Sequence, residues 1–129
     1  MIAVDTNVIV RFLVADDSHQ ARSAQECVAA GAFVSHGVLM EAEWVLRTVY
    51  RLAREGIAGG LLDLLDLDCI HAHDDELLRW AIERYRRGAD WADLLHLIAA
   101  RAHAGFVTFD RALNRQAGRD APVPIEVLR

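Results

Sequence analysis

The sequence predicts an α/β protein: a single three-layer α/β/α domain over residues 1–129 with a short parallel central sheet. Short, almost wholly apolar runs recur along the chain, and strands of that character belong to parallel sheets covered on both faces. Segments with helical spacing separate them, the alternation that builds such a sheet. A chain of 129 residues also suffices for one full core, and it contains no repeat, low-complexity stretch or linker.

Ile2-Ala3-Val4 reads as a buried strand leading through Asp5-Thr6-Asn7 into a helix that runs to about Ala15. Asp16-Asp17-Ser18 caps a second helix, about His19 to Ala30, and Gly31 ends it. Phe33-Val34-Ser35 is the next strand. From His36 to Arg54 the residues Val38, Ala42, Val45, Leu46, Val49, Leu52 and Ala53 recur at helical spacing, which predicts one long helix. Gly56 and Gly59-Gly60 read as punctuation before a short helix from Leu61 to Leu67. Asp68-Cys69-Ile70-His71 is a third strand, and a helix runs from Asp74-Asp75-Glu76 to Arg87, closed by Gly88. Asp90 to Ala104 forms the next helix, followed by the strand Phe106-Val107-Thr108-Phe109, a short helix after Asp110 and a last strand at Ile125-Glu126-Val127.

Composition closes several routes. A hydrophobic fraction of 53% and a mean hydropathy of +0.14 exclude a disordered chain. No apolar run reaches the roughly 18 residues that span a bilayer, and Met1-Ile2-Ala3-Val4-Asp5 has no basic lead of the signal-peptide kind. A soluble, cytoplasmic protein with no membrane partner is the expectation. Cys27 and Cys69 are too few for a disulfide scaffold and read as small core residues. The net charge of −5 argues against a general nucleic-acid coat, though not against an enzyme that meets RNA through a cation and a local basic patch. All 14 Lys+Arg residues are arginine. Chemistry that requires a lysine, such as Schiff-base formation or the phosphate-binding loop of NTPases, is therefore closed.

The acids carry what chemistry remains. Asp5 and Asp110 each follow an apolar strand directly, which places them on the edge of a parallel sheet where ligands bind. Each also reads as a helix N-cap. Glu41 shares a helix line with Val38, Val45 and Val49, the expected apolar side, whereas Glu43 falls with Met40, Arg47 and Arg54 on the polar side. A carboxylate on a buried face requires coordination or an ion pair. Asp90 and Asp93 compete for one role: Asp90 is a natural N-cap and Asp93 the acidic position of a capping box, and spacing leaves the two undecided. Four carboxylates in one crevice would repel, and a divalent cation removes the conflict. Oxygen ligands without a His or Cys cluster favour Mg²⁺ or Mn²⁺ over zinc, and such a cation supports hydrolysis of a phosphodiester.

These residues also carry a resemblance. Ile2-Ala3-Val4-Asp5-Thr6-Asn7, Leu39-Met40-Glu41-Ala42-Glu43-Trp44-Val45-Leu46, Ala89-Asp90-Trp91-Ala92-Asp93-Leu94-Leu95-His96-Leu97 and Val107-Thr108-Phe109-Asp110 resemble the successive motifs of PIN-domain ribonucleases. Among these the chain is most similar to VapC-type toxins of toxin–antitoxin pairs, and the likeness runs from Ile2 to the last strand. The resemblance implies a Mg²⁺- or Mn²⁺-dependent endoribonuclease, a homodimer, held inactive by a VapB-like antitoxin. It assigns Asp5, Glu41 and Asp93 as the main catalytic and metal-binding acids and Asp110 as the fourth. It also separates Asp93 from Asp90, which matches an acid three residues earlier, and it makes Thr6, Asn7 and Thr108 polar residues lining the site.

Arg47 and Arg51, with Arg54 along one side of the long helix, and Arg111 and Arg115 after Asp110 are candidates for RNA phosphates, because guanidinium matches phosphate geometry. A solvated helix face is the plainer meaning of the same spacing. Arg84, Arg86 and Arg87 close a helix and read as structural. His71, His73, His96 and His103 lack zinc-like spacing, and Trp44, Trp80 and Trp91 read as core or subunit-interface residues. Two other classes compete. A phosphatase-like enzyme using Asp5 as phosphoryl acceptor would require an Asp at position 7 and a downstream Lys, and the chain has Asn7 and no Lys. A non-catalytic partner-binding scaffold would bind no divalent ion.

Overall fold

In the computed structural model, which describes residues 1–16 and 18–129, five strands and seven helices alternate along the chain. They divide into two compact units, Met1–Asp75 and Glu76–Arg129. Asp17, grouped by sequence with the start of the second helix, lies outside the described residues.

The first unit is built on a parallel sheet in the order β1-β2-β3. Its strands are β1 (Ile2–Ala3), β2 (Ala32–Phe33) and β3 (Ile70–His71). Ile2 lies opposite Ala32, and Ala32 opposite Ile70. The helices α1 (Thr6–Val14), α2 (His19–Ala29), α3 (His36–Thr48) and α4 (Arg54–Leu65) connect them. The sequence encodes the helix starts directly. Ser18 and Ser35 each accept a hydrogen bond from the backbone N–H three residues on, at Ala21 and Val38, which satisfies a donor that the helix itself leaves open. Gly31 follows α2 at φ 101°, a left-handed conformation that glycine adopts without penalty.

The second unit contains α5 (Asp75–Arg86) from its second residue on, α6 (Trp91–Ala99), β4 (Phe106–Thr108), α7 (Leu113–Ala117) and β5 (Ile125–Val127). β4 and β5 pair in parallel, Phe106 opposite Ile125 and Thr108 opposite Val127. Leu97, Leu113, Ala117 and Val123 form a buried cluster with Trp80, Phe106 and Ile125 packed against it. The ring of Tyr85 meets that of Trp91 edge-on at 5.6 Å, and both side chains are buried.

Three expectations about this framework need correction. The long helix ends at Thr48, and a new helix begins at Arg54. Thr48, Val49 and Tyr50 are poor helix formers. The Thr48 hydroxyl donates back to the Trp44 carbonyl at 2.7 Å, and the chain turns at Arg51 with φ 55°. The glycines that read as punctuation lie inside α4, where Ile57, Ala58, Leu61 and Leu64 bury one face. Burial of that stripe outweighs about 1 kcal/mol of lost propensity per glycine. Finally, β1 and β4 are not wholly buried. Ile2 is 69% exposed, Val107 and the following Phe109 are exposed too, and among the described residues β1 and β4 each lie at the edge of their sheet, where less of the strand is covered. Val4, next to β1, is the buried anchor there.

A Cβ added at Gly56 or Gly59 meets nothing within 4 Å. Gly56→Ala and Gly59→Ala are therefore expected to stabilise the protein by about 0.5–1 kcal/mol each. Chemical denaturation checks this, and a loss of stability would mean that α4 does not run through the glycines.

Candidate functional site

Asp5 leaves β1 and opens α1. Its carboxylate accepts from the Thr6 backbone N–H at 2.8 Å, the next residue, instead of from a donor two or three positions on. It thus satisfies the helix start only in part. Thr6 is buried, and its hydroxyl donates across to Oε1 of Glu41 on α3. One threonine therefore fixes two acids that lie 36 positions apart in sequence. Asn7 is exposed and lines a cavity of about 340 Å³ between α1 and α2, with Val8, Arg11 and Cys27. That cavity holds none of the acids.

Glu41 is exposed, contrary to its expected place on a buried face. The buried stripe of α3 runs through Leu39, Ala42, Glu43 and Leu46, turned away from the line of Val38, Glu41 and Val45. The buried carboxylate is that of Glu43, 4% exposed, and it is matched internally: Arg47 Nε donates to Oε2 at 2.8 Å. Arg47 is thereby tied within the helix, while Arg51 sits in the turn after it and Arg54 starts the next helix. The expected row of these three arginines along one helix side does not exist.

In the second unit Asp90 caps α6, accepting from the Asp93 backbone N–H at 3.0 Å. Its carboxylate is committed to the helix start. The Asp93 carboxyl sits half-buried one turn in, and it is held above the usual carboxylate range. Burial is the largest cause, followed by the negative charges of Asp90 and Asp110, with His96 opposing. Asp110 is not a helix cap, since α7 begins from Ala112. It sits instead in a local turn, where its N–H donates to Thr108 Oγ1 at 3.0 Å and its Oδ1 accepts from Ala112 N–H at 2.9 Å.

Each unit therefore gathers acids of its own: Asp5 with Glu41 around Thr6, and Asp93 with Asp90 and Asp110. Asp5, Glu41, Asp93 and Asp110 each retain at least one carboxylate oxygen without a protein partner among the described residues, and none pairs with an arginine. Glu43, Asp16, Glu83 and Asp120 are each paired with one. Free carboxylate oxygens without sulfur or imidazole among them suit a hard divalent cation, and the charges crowding Asp93 are of the sign that a cation relieves.

A family model for the PIN domain matches residues 2–119. The chain belongs to the PIN-domain family. PIN domains are typically metal-dependent nucleases, their fold is the three-layer α/β/α one, and the parallel strands and intervening helices described above agree with it. No curated protein matches the chain significantly. No helix of this PIN domain, among the described residues, is long and apolar enough to cross a membrane.

The raised Asp93 carboxyl has a stability consequence. The folded chain holds this proton more tightly than the unfolded chain does, so ionising Asp93 costs stability. That cost is absent below the ordinary carboxylate pKa and complete once the pH exceeds the raised value. Metal-free Asp93→Asn is expected to melt at or above the parent's Tm at neutral pH, with the gap closing in acid. Thermal melts across pH check this; a Tm several degrees below the parent's at pH 7 would contradict it.

Proposed function

We propose that residues 1–129 act as one PIN-like nuclease domain, a Mg²⁺- or Mn²⁺-dependent endoribonuclease whose cation is held by Asp5, Glu41, Asp93 and Asp110. What carries this is the free oxygen on each of these acids. Unpaired carboxylates are ordinary on a solvated surface, but here they fall at the ends of β1 and β4 and at the motif acids of α3 and α6.

The protein's own residues have separable duties in this proposal. Thr6 positions Asp5 through its N–H and Glu41 through its hydroxyl. Asp90 fixes the start of α6 and with it the place of Asp93. Asp93 must be ionised to act as a ligand, and the Thr108 turn aims Asp110. The bound cation supplies the remaining chemistry, lowering the pKa of a water and offsetting charge on the phosphate.

We extend the proposal to the toxin of a VapBC-type pair, a cytoplasmic homodimer restrained by a VapB-like antitoxin. Its support is the order of the motifs, together with exposed apolar residues at the end of α3. Trp44 is 54% exposed and Val49 and Leu52 are exposed beside it in sequence, a kind of surface that protein partners cover.

Purified protein is expected to cleave single-stranded or looped RNA with Mg²⁺ or Mn²⁺, to stop in EDTA, and to lose roughly a hundredfold or more of its rate in Asp5→Asn. Undiminished cleavage in the variant or in EDTA would contradict the assignment.

A further inference from the structure

Charge is unevenly divided along this acidic chain. Residues 1–75 hold five arginines against twelve Asp and Glu, whereas residues 76–129 hold nine against seven. The surplus gathers around α7. A hollow of about 470 Å³ is lined by Arg111, Arg115 and Arg119. Arg111 also lines a second, of about 450 Å³, with Arg129. Arg115 also lines a third, of about 260 Å³, with Arg84 and Arg87. Shared side chains thus join the three hollows into one basic surface.

The arginines on it differ in how they are held. Arg84 is fixed: its Nη2 donates to Asp120 Oδ1 at 3.3 Å, the Trp80 indole donates to the same oxygen at 3.2 Å, and Gly118 leaves room for the guanidinium where a Cβ would approach to 1.8 Å. Arg87 lies 3.4 Å from Glu83. Arg111, Arg115 and Arg119 are exposed and have no acidic partner among the described residues. Like charges gathered without counter-charge repel, and a polyanion laid across them removes the repulsion and gains charge-assisted hydrogen bonds. Arg111 directly follows Asp110, so the surface begins beside one of the acids assigned to the cation.

We propose that Arg111, Arg115 and Arg119, continued by Arg84 and Arg87, form a phosphate track that holds the RNA strand next to Asp110, a placement that rests on the nuclease reading above. The track grips the backbone and not the bases, so it binds oligo(U) and oligo(A) alike.

The test is fluorescence anisotropy of a fluorescein-labelled oligo(U), titrated in EDTA so that no cleavage occurs, at several salt concentrations. The full chain should bind, and a variant with Arg111→Gln, Arg115→Gln and Arg119→Gln should bind roughly tenfold or more weakly at about 0.1 M salt, with a log–log salt slope shallower by about 2. Lysine at the same three positions should restore the slope, which a merely structural role would not predict. An unchanged slope in the glutamine variant would overturn the track while leaving metal-dependent cleavage intact. Binding of an acidic peptide but not of RNA would overturn it as well. Absence of RNA binding by the parent chain would also sink the track, whereas the nuclease reading stands or falls on the cleavage assay.

Discussion

Carboxylates crowded together must keep a proton, find an arginine or take up a cation, and much in this protein follows from which acids are given which remedy. Glu43 has the arginine remedy, paired with Arg47 one helical turn on. Asp120 has it too, and its carboxyl is held below the usual range, first by the Trp80 indole and then by Arg84. Asp93 has neither. It is desolvated beside two further acids, and its carboxyl moves the other way. The chain has fourteen arginines to spend and places none against Asp5, Glu41, Asp93 or Asp110. The desolvation and like charge around Asp93 are what a bound cation would relieve.

Local backbone chemistry decides which acids are available for it. Ser18, Ser35 and Asp90 serve their helices by reaching a donor three residues on. Asp5 reaches only its neighbour, and Asp110 sits in a turn before α7 without capping it. Helix capping thus consumes Asp90 and leaves Asp93, while Asp5 and Asp110 keep an oxygen each. Thr6 then links the end of β1 to α3, so that folding of the first unit positions Glu41 without burying it.

Much of this was legible in the sequence, and the failures have physical causes. The alternation of apolar strands and capped helices was plain, because Ser18, Gly31 and Gly88 act through local geometry, whereas Ser35, read as the end of a strand, caps α3. The roles of Glu41 and Glu43 were inverted. Helical periodicity gives a stripe but not its rotation, and extending α3 to Arg54 drew the stripe through Val49 and Leu52, which the turn leaves exposed. The i, i+4 pair Glu43–Arg47 was present as a signal, and it marked the acid that has no need of a cation. Helix α4 was hidden because glycine lowers propensity locally while the burial that overrides it is tertiary. The arginine surface was half visible: Arg111 and Arg115 stood out by spacing, but Arg84, Arg87 and Arg119 join them only through the fold.

A divalent cation held by carboxylates that the protein leaves unpaired would separate the two glutamates of α3 most sharply. Calorimetric titration of Mn²⁺ into the parent, Glu41→Gln and Glu43→Gln proteins measures it directly. A carboxylate that ligates the ion should cost roughly tenfold or more in affinity when it is neutralised, whereas Glu43, spent on Arg47, should cost stability and leave Mn²⁺ affinity nearly unchanged. Equal Mn²⁺ affinity in all three proteins, or a loss confined to Glu43→Gln, would contradict the account.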